Sequence, residues 1–189
     1  MKKIFTYYSI VALLAVFVLA GCKGSKKAKT PSGETTINVP CSGPDYFTNG
    51  KVFRANSIGE SSDQVASKKK ALSNAKAELA ANIQTTIKAV NDNYINSREF
   101  NNREEIEERF EGLTREVVNQ ELVGVKTICE QLVRTQEGRY KTYLAIELSA
   151  DDLVRKYHER LSKDERLRID YDYEKFKETF DQEMEKFGR

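Results

Sequence analysis

Four side chains in this sequence carry groups that do chemistry on their own: Cys22, Cys41, Cys129 and His158. A thiolate is a nucleophile, a metal ligand and an acyl acceptor, and two thiols can pair. Histidine is the commonest acid–base residue. His158, the single histidine, stands between Tyr157 and Glu159 in a helical pattern. No cysteine–histidine cluster surrounds it, as a zinc site would require. It reads as a surface or boundary residue. The acidic run Glu104, Glu105, Glu107, Glu108 and Glu111 could invite a cation. Hard-cation loops need turn glycines and converging carboxylates, and this run has neither. It reads as a solvated helix face, with Arg109 one turn beyond Glu105 as a partner. Asp151 and Asp152 sit where a helix N-terminus favours acids. No G-x-S-x-G, P-loop or dinucleotide fingerprint occurs. A nucleophile, a base and a group to orient the base cannot be assembled from these residues. We therefore expect no catalytic, cofactor-binding or metal-binding residues and no enzyme activity.

Cys22 is different because of what precedes it. Met1-Lys2-Lys3 is a short positive segment, and Ile10 to Ala20 is an almost unbroken apolar run. Crossing a bilayer takes about 20 apolar residues. This run is shorter, and it has the length and flanks of a secretory h-region. It ends in Leu19-Ala20-Gly21-Cys22, which resembles a bacterial lipobox. In that motif a diacylglyceryl group is joined to the cysteine sulfur, and the chain is cut before the cysteine. The new amino terminus is then usually acylated. Two or more acyl chains hold a protein stably at about 0.8 kcal/mol per buried methylene. The expectation is lipidation at Cys22 and a chain anchored to a membrane without spanning it. A plain signal peptide with a chance cysteine, or an uncleaved anchor, is the alternative.

Cleavage before Cys22 removes Lys2 and Lys3 and no acid. That takes the 31 basic side chains to 29, equal to the 29 acidic ones. A nucleic-acid partner needs concentrated positive charge, so that class is set aside. Cys41 and Cys129 remain. An even pair in an exported chain points to a disulfide, closing a loop worth up to about 4–5 kcal/mol on the chain-entropy model. Two buried free thiols are the alternative.

The elements that must position these residues follow from periodicity. Residues 23–40, "KGSKKAKTPSGETTINVP", have no periodic apolar pattern and read as a flexible tether. Lys23, Lys26, Lys27 and Lys29 would lie next to the lipid. They either rest on anionic headgroups, at about 1 kcal/mol each, or simply keep the tether solvated. Pro44 and Asn49-Gly50 signal turns. Val52, Phe53 and Ile58 suggest a short strand closed by Gly59, and Ser61 with Gln64 suggests a capping box. Leu72, Ala75, Leu79, Ile83, Ile87, Val90 and Tyr94 then step by three or four along a long helix. "NDNYINSREFNN" (91–102) reads as a polar interruption. Ile106, Phe110, Leu113 and Val117 mark a second helix from about Asn102. "LVGVKTICEQLVR" and "RYKTYLAIELS" alternate about the turn "TQEG", as a hairpin with one buried face does. Ser149 caps a further helix with Leu153, Val154, Tyr157 and Leu161 on its core side. A last helical stretch carries the stripe Ile169, Tyr173, Phe176, Phe180, Met184 and Phe187. That stripe either folds back onto its own domain or forms a partner or oligomer surface. Its polar side mixes both charge signs, which disfavours membrane-surface binding.

The stretch "FRANSIGESSDQVASKKKALSNAKAELAANIQTTIK" resembles the LPP-twenty lipoprotein family. The shared pattern is an aromatic-led strand ending in "GES", then an Ala-rich helix. Gly59, Ala66, Ala71, Leu72 and Ala75 carry it here. The resemblance covers roughly residues 50–150 and agrees with the lipobox and the later hairpin. It implies a membrane-anchored lipoprotein with a compact α+β domain, in a family partly linked to cell-envelope and flagellar assemblies. No catalytic residues come with it.

Strand, long helix, helix, strand, strand, helix is an α+β order, with a small antiparallel sheet packed by helices. The expected organisation is a signal peptide at 1–21, a lipidated tether at 22–45, an α+β domain at 46–150 and a helical extension at 151–189. Function is expected to be that of a non-enzymatic envelope lipoprotein. It would bind or scaffold another envelope protein, or self-associate. The alternative is an envelope enzyme or small-ligand carrier with a cleft. Lysine, not aspartate, directly after Cys22 resembles an outer-membrane sorting pattern.

Overall fold

The computed structural model describes residues 33–35, 37–100 and 102–188. Cys22, the apolar run before it and most of the tether lie outside the described residues. The chain divides into Met1–Asn38 and Val39–Arg189. Within the first unit the described residues form no helix or strand. The second unit carries the fold.

The elements of that unit are β1 (Val52–Ser61), α1 (Gln64–Asn96), α2 (Arg103–Glu121), β2 (Lys126–Arg134), β3 (Tyr140–Ser149), α3 (Ala150–Leu161), the short α4 (Leu167–Asp170) and α5 (Tyr173–Glu185). The three strands form one antiparallel sheet in the order β1-β3-β2. The architecture is therefore α+β with a small sheet. Both strands that flank β3 run antiparallel to it, so the β1–β2 connection crosses over through α1 and α2.

Alternation along β3 turns Thr142, Leu144, Ile146 and Leu148 into the core, and all four are buried. Phe53 and Ala55 do the same on β1, as the period of two requires. α1 lies on this face. Its 33 residues give a rod of about 50 Å. Small residues let it approach closely. Ala71 and Ala75 are fully buried, and a Cβ placed on Gly59 would lie 2.2 Å from the Ser67 carbonyl oxygen. Polar atoms at this contact are matched. Ser67 Oγ donates to Gly59 O at 2.9 Å and accepts from Thr142 Oγ1 at 2.8 Å.

β1 is longer than the sequence suggests. It runs ten residues to Ser61 and passes through Gly59. The N-cap of α1 is Asp63, whose carboxylate accepts from Ala66 N at 2.7 Å. Ser61 instead ends the strand and accepts from Asp63 N. α1 also continues through residues 91–96, because Asn91, Tyr94 and Ile95 are buried on its core side. The cap by Ser149, the turn at 135–138 with Gly138 at φ 78°, and the core face of α3 are as expected.

The other face of the sheet is covered around Ala145 by the chain entering it. Cys41 is disulfide-bonded to Cys129, with Cα atoms 5.5 Å apart. This brings the loop from Val39 against fully buried Ala145, the partner of Cys129 in the β2–β3 ladder. Thr48 then binds both backbone groups of Arg54. The Arg54 guanidinium pairs with Glu147 at 2.6 Å.

The aromatic stripe of the C-terminal helix is not a free surface. Phe176, Phe180 and Met184 are no more than 1% exposed. Phe176 stacks on Tyr157 with ring centroids 5.2 Å apart and meets Tyr94 edge-on at 5.5 Å. Phe180 meets Phe53 of the sheet at 6.4 Å. Burial of large aromatic rings in the chain's own core is the favourable outcome when a complementary site is in reach. Tyr173 is half-buried against His158, and Phe187 is exposed. The side chain of Ile169 lies outside the described residues. Across the expected boundary at 150/151, α3 and α5 share one hydrophobic core with α1 and the sheet.

Candidate functional site

A groove of about 430 Å³ opens between α1 and α2. Ile95 and Phe110 form its apolar floor, and both are buried. Gln84, Lys88, Asp92, Glu107, Glu111 and Arg115 form the exposed rim. Cations and anions therefore face the same opening.

The polar part of the floor is a buried cluster. Thr114 Oγ1 donates to Phe110 O at 2.7 Å, as a threonine inside a helix commonly does. Its lone pairs then face Tyr157 OH at 2.9 Å and Asn91 Nδ2 at 3.4 Å. Tyr157 OH is also 3.2 Å from Asn91 Oδ1. One residue each from α1, α2 and α3 thus meets in the interior. Burial pushes the Tyr157 hydroxyl well above the usual phenol range, only partly offset by Thr114 and Asn91. Tyr157 is a neutral donor at every ordinary pH. The cluster can orient a ligand's polar atom or hold three helices in register. It contains no nucleophile–base pair.

The residues that the sequence singles out for chemistry fall elsewhere, and not together. Cys41 and Cys129 meet on the opposite face of the sheet. His158 packs between Tyr171 and Tyr173, with ring centroids 5.6 and 4.2 Å away, and its Nδ1 has no partner among the described residues. The Tyr171 hydroxyl is likewise buried without one among the described residues. The acidic run on α2 is partly used in ion pairs. Glu105 meets Arg109 at 3.4 Å and Arg166 at 2.7 Å, and Glu107 meets Arg103 at 2.7 Å. Arg109 reaches Asp164 at 3.0 Å, tying α2 to the turn before α4. Among the described residues no three metal-ligating side chains converge, and no helix is long and apolar enough to cross a membrane.

Asn91 and Thr114 do not stand out in the sequence. Asn91 lies four residues beyond Ile87, on the apolar stripe itself, and that spacing is the signal that marks it as buried. No protein-family model matches this chain, and no curated protein matches its sequence.

Proposed function

We propose that this protein is a lipid-anchored component of a bacterial cell envelope, held through Cys22, and that its folded unit is a non-enzymatic binding or scaffolding module for another envelope component. The observation that carries this reading is the order Lys2-Lys3, apolar Ile10–Ala20, Leu19-Ala20-Gly21-Cys22 and a polar, lysine-rich tether. A compact unit beginning at Val39 leaves room for that tether between lipid and fold. Attachment by two or more acyl chains needs no spanning helix. Lys23 after the lipid-bearing cysteine favours the outer membrane. The resemblance to the LPP-twenty family supports the same reading.

The test is metabolic labelling with an alkyne-tagged fatty acid. Label in the full chain that vanishes in Cys22→Ala supports the anchor. Label retained in Cys22→Ala, or absent from both, removes it.

One observation favours a second reading, that of a small-ligand carrier. It is the groove above Asn91 and Thr114, where polar side chains adjoin the apolar floor of Ile95 and Phe110 beneath a rim of both charge signs. Isotope-labelled protein titrated with the small-molecule fraction of an envelope extract would show it. A saturable shift of the Asn91 side-chain amide supports the carrier reading, and an unmoved amide removes it.

A further inference from the structure

The two edges of the sheet are treated differently by the chain. At β1 the first part of the edge, Val52–Arg54, is occupied. Arg54 N donates to Thr48 Oγ1 at 2.9 Å, Thr48 Oγ1 donates to Arg54 O at 3.1 Å, and Asn49 N donates to Val52 O at 3.0 Å. At β2 no described segment pairs with the outer edge. The register shows which groups are left there. Thr135 N donates to Arg139 O at 2.8 Å at the mouth of the hairpin. Antiparallel ladders alternate from such a pair. Val133 and Gln131 therefore turn their peptide groups to β3, while Arg134, Leu132 and Glu130 turn theirs outward.

The side chains of those three residues lie on the helix side of the sheet. Leu132 is paired with Thr142, whose hydroxyl meets Ser67 of α1. Glu130 bonds to Lys68 of α1 at 2.9 Å. Leu132 nevertheless remains 39% exposed. An edge with a large apolar residue between charges is a template for another strand unless something blunts it. The irregularity between Thr127 and Cys129 blunts only the first part of β2, and Glu130–Arg134 stays regular.

We propose that β2 pairs antiparallel with β2 of a second copy of this chain, about a two-fold axis at Leu132. Charge complementarity selects this occupant and this register. With the axis at Leu132, each Glu130 faces Arg134 of the other copy, and Leu132 faces Leu132. An axis at Glu130 or at Arg134 sets a charge against its own copy, which is unfavourable. An axis at Gln131 or Val133 sets Leu132 against a charge. The Leu132 register also puts outward-turned peptide groups opposite one another. A two-fold contact of this kind closes on itself and joins two three-stranded sheets into one. The ladder is short, so dimerisation depends on concentration. The proposal does not rest on the lipid anchor.

The test is Leu132→Cys in the full-length chain, oxidised mildly in intact cells. Directly opposed residues in a hydrogen-bonded antiparallel pair have Cα atoms about 5.5 Å apart, within disulfide reach. The expected result is a reducible homodimer. Val123→Cys, exposed at the far end of the sheet, should give at least about tenfold less. Glu130→Arg or Arg134→Glu added to Leu132→Cys should each lower the dimer about tenfold, and the two together should restore it. For the unsubstituted chain in detergent, sedimentation should show dimer growing with concentration. A mixed disulfide with a different protein, equal crosslinking at Val123→Cys, or a monomer at every concentration overturns the proposal. Cys22→Ala leaves the edge intact, so loss of anchoring and loss of pairing are read separately.

Discussion

The ring of Phe176 lies nearly parallel to that of Tyr157, with 7° between planes and 5.2 Å between centroids. That contact joins the C-terminal helix to the cluster formed by Asn91 and Thr114, since Tyr157 belongs to both. Phe176→Ala should therefore cost about 3–5 kcal/mol, as large aromatic deletions in cores do. Urea unfolding is the measurement. A change below about 1 kcal/mol would mean that α5 is not part of the cooperative core.

Gly59 is needed for a close approach and not for a turn. A Cβ there would lie 2.2 Å from Ser67 O and 2.4 Å from Ala71 N, both backbone atoms that cannot rotate aside. Gly59→Ala should destabilise by about 1–3 kcal/mol through overpacking. Gly112→Ala, on α2 with open space around it, should stabilise by about 0.5–1 kcal/mol. Thermal unfolding of the pair separates packing from helix propensity.

Much of this architecture was legible in the sequence, and the reasons differ by element. The stripe from Leu72 to Tyr94 and the alternation from Tyr140 to Leu148 are consequences of burial on one face, which periodicity records directly. Asn91 misled because a polar residue inside a stripe looks like a break until its partners, Thr114 and Tyr157, are known. Asp63 took the cap expected around Ser61 because the strand ran further than its apolar residues indicated. Periodicity on the last helix showed that Phe176, Phe180 and Met184 share a face but not what that face meets. The α1–α2 groove was invisible, because periodicity marks the buried face of each helix but not the side chains that line the gap between two of them.

Cys41–Cys129 closes a loop across 88 positions. Replacing both residues with serine should lower stability by up to about 4–5 kcal/mol. Hydrogen exchange should quicken first at residues 39–48, the segment that the bridge holds against Ala145 and Arg54. Unchanged exchange there would show that Thr48 and Asn49 suffice to hold it.

Asp164 gives the acid limb a definite sign. Burial alone would raise its carboxyl, but the N–H groups of Leu167 and Arg166 and the Arg109 guanidinium hold it below the usual range. A carboxyl depressed in the folded state stabilises above its unfolded pKa, near 4, and that stability is lost as pH falls through the folded value. Asp164→Asn should cost about 1–2 kcal/mol at neutral pH. It should also flatten the loss of stability as pH falls below about 4. A parallel shift of the whole profile would exclude this carboxylate as the source.

The central claim is attachment through Cys22, and membrane fractionation of Cys22→Ala tests it most directly. The account predicts that the full chain partitions with membranes and resists carbonate extraction. The substituted protein should leave the membrane fraction while keeping the same urea midpoint. If Cys22→Ala still fractionates quantitatively with membranes, the lipid anchor is wrong.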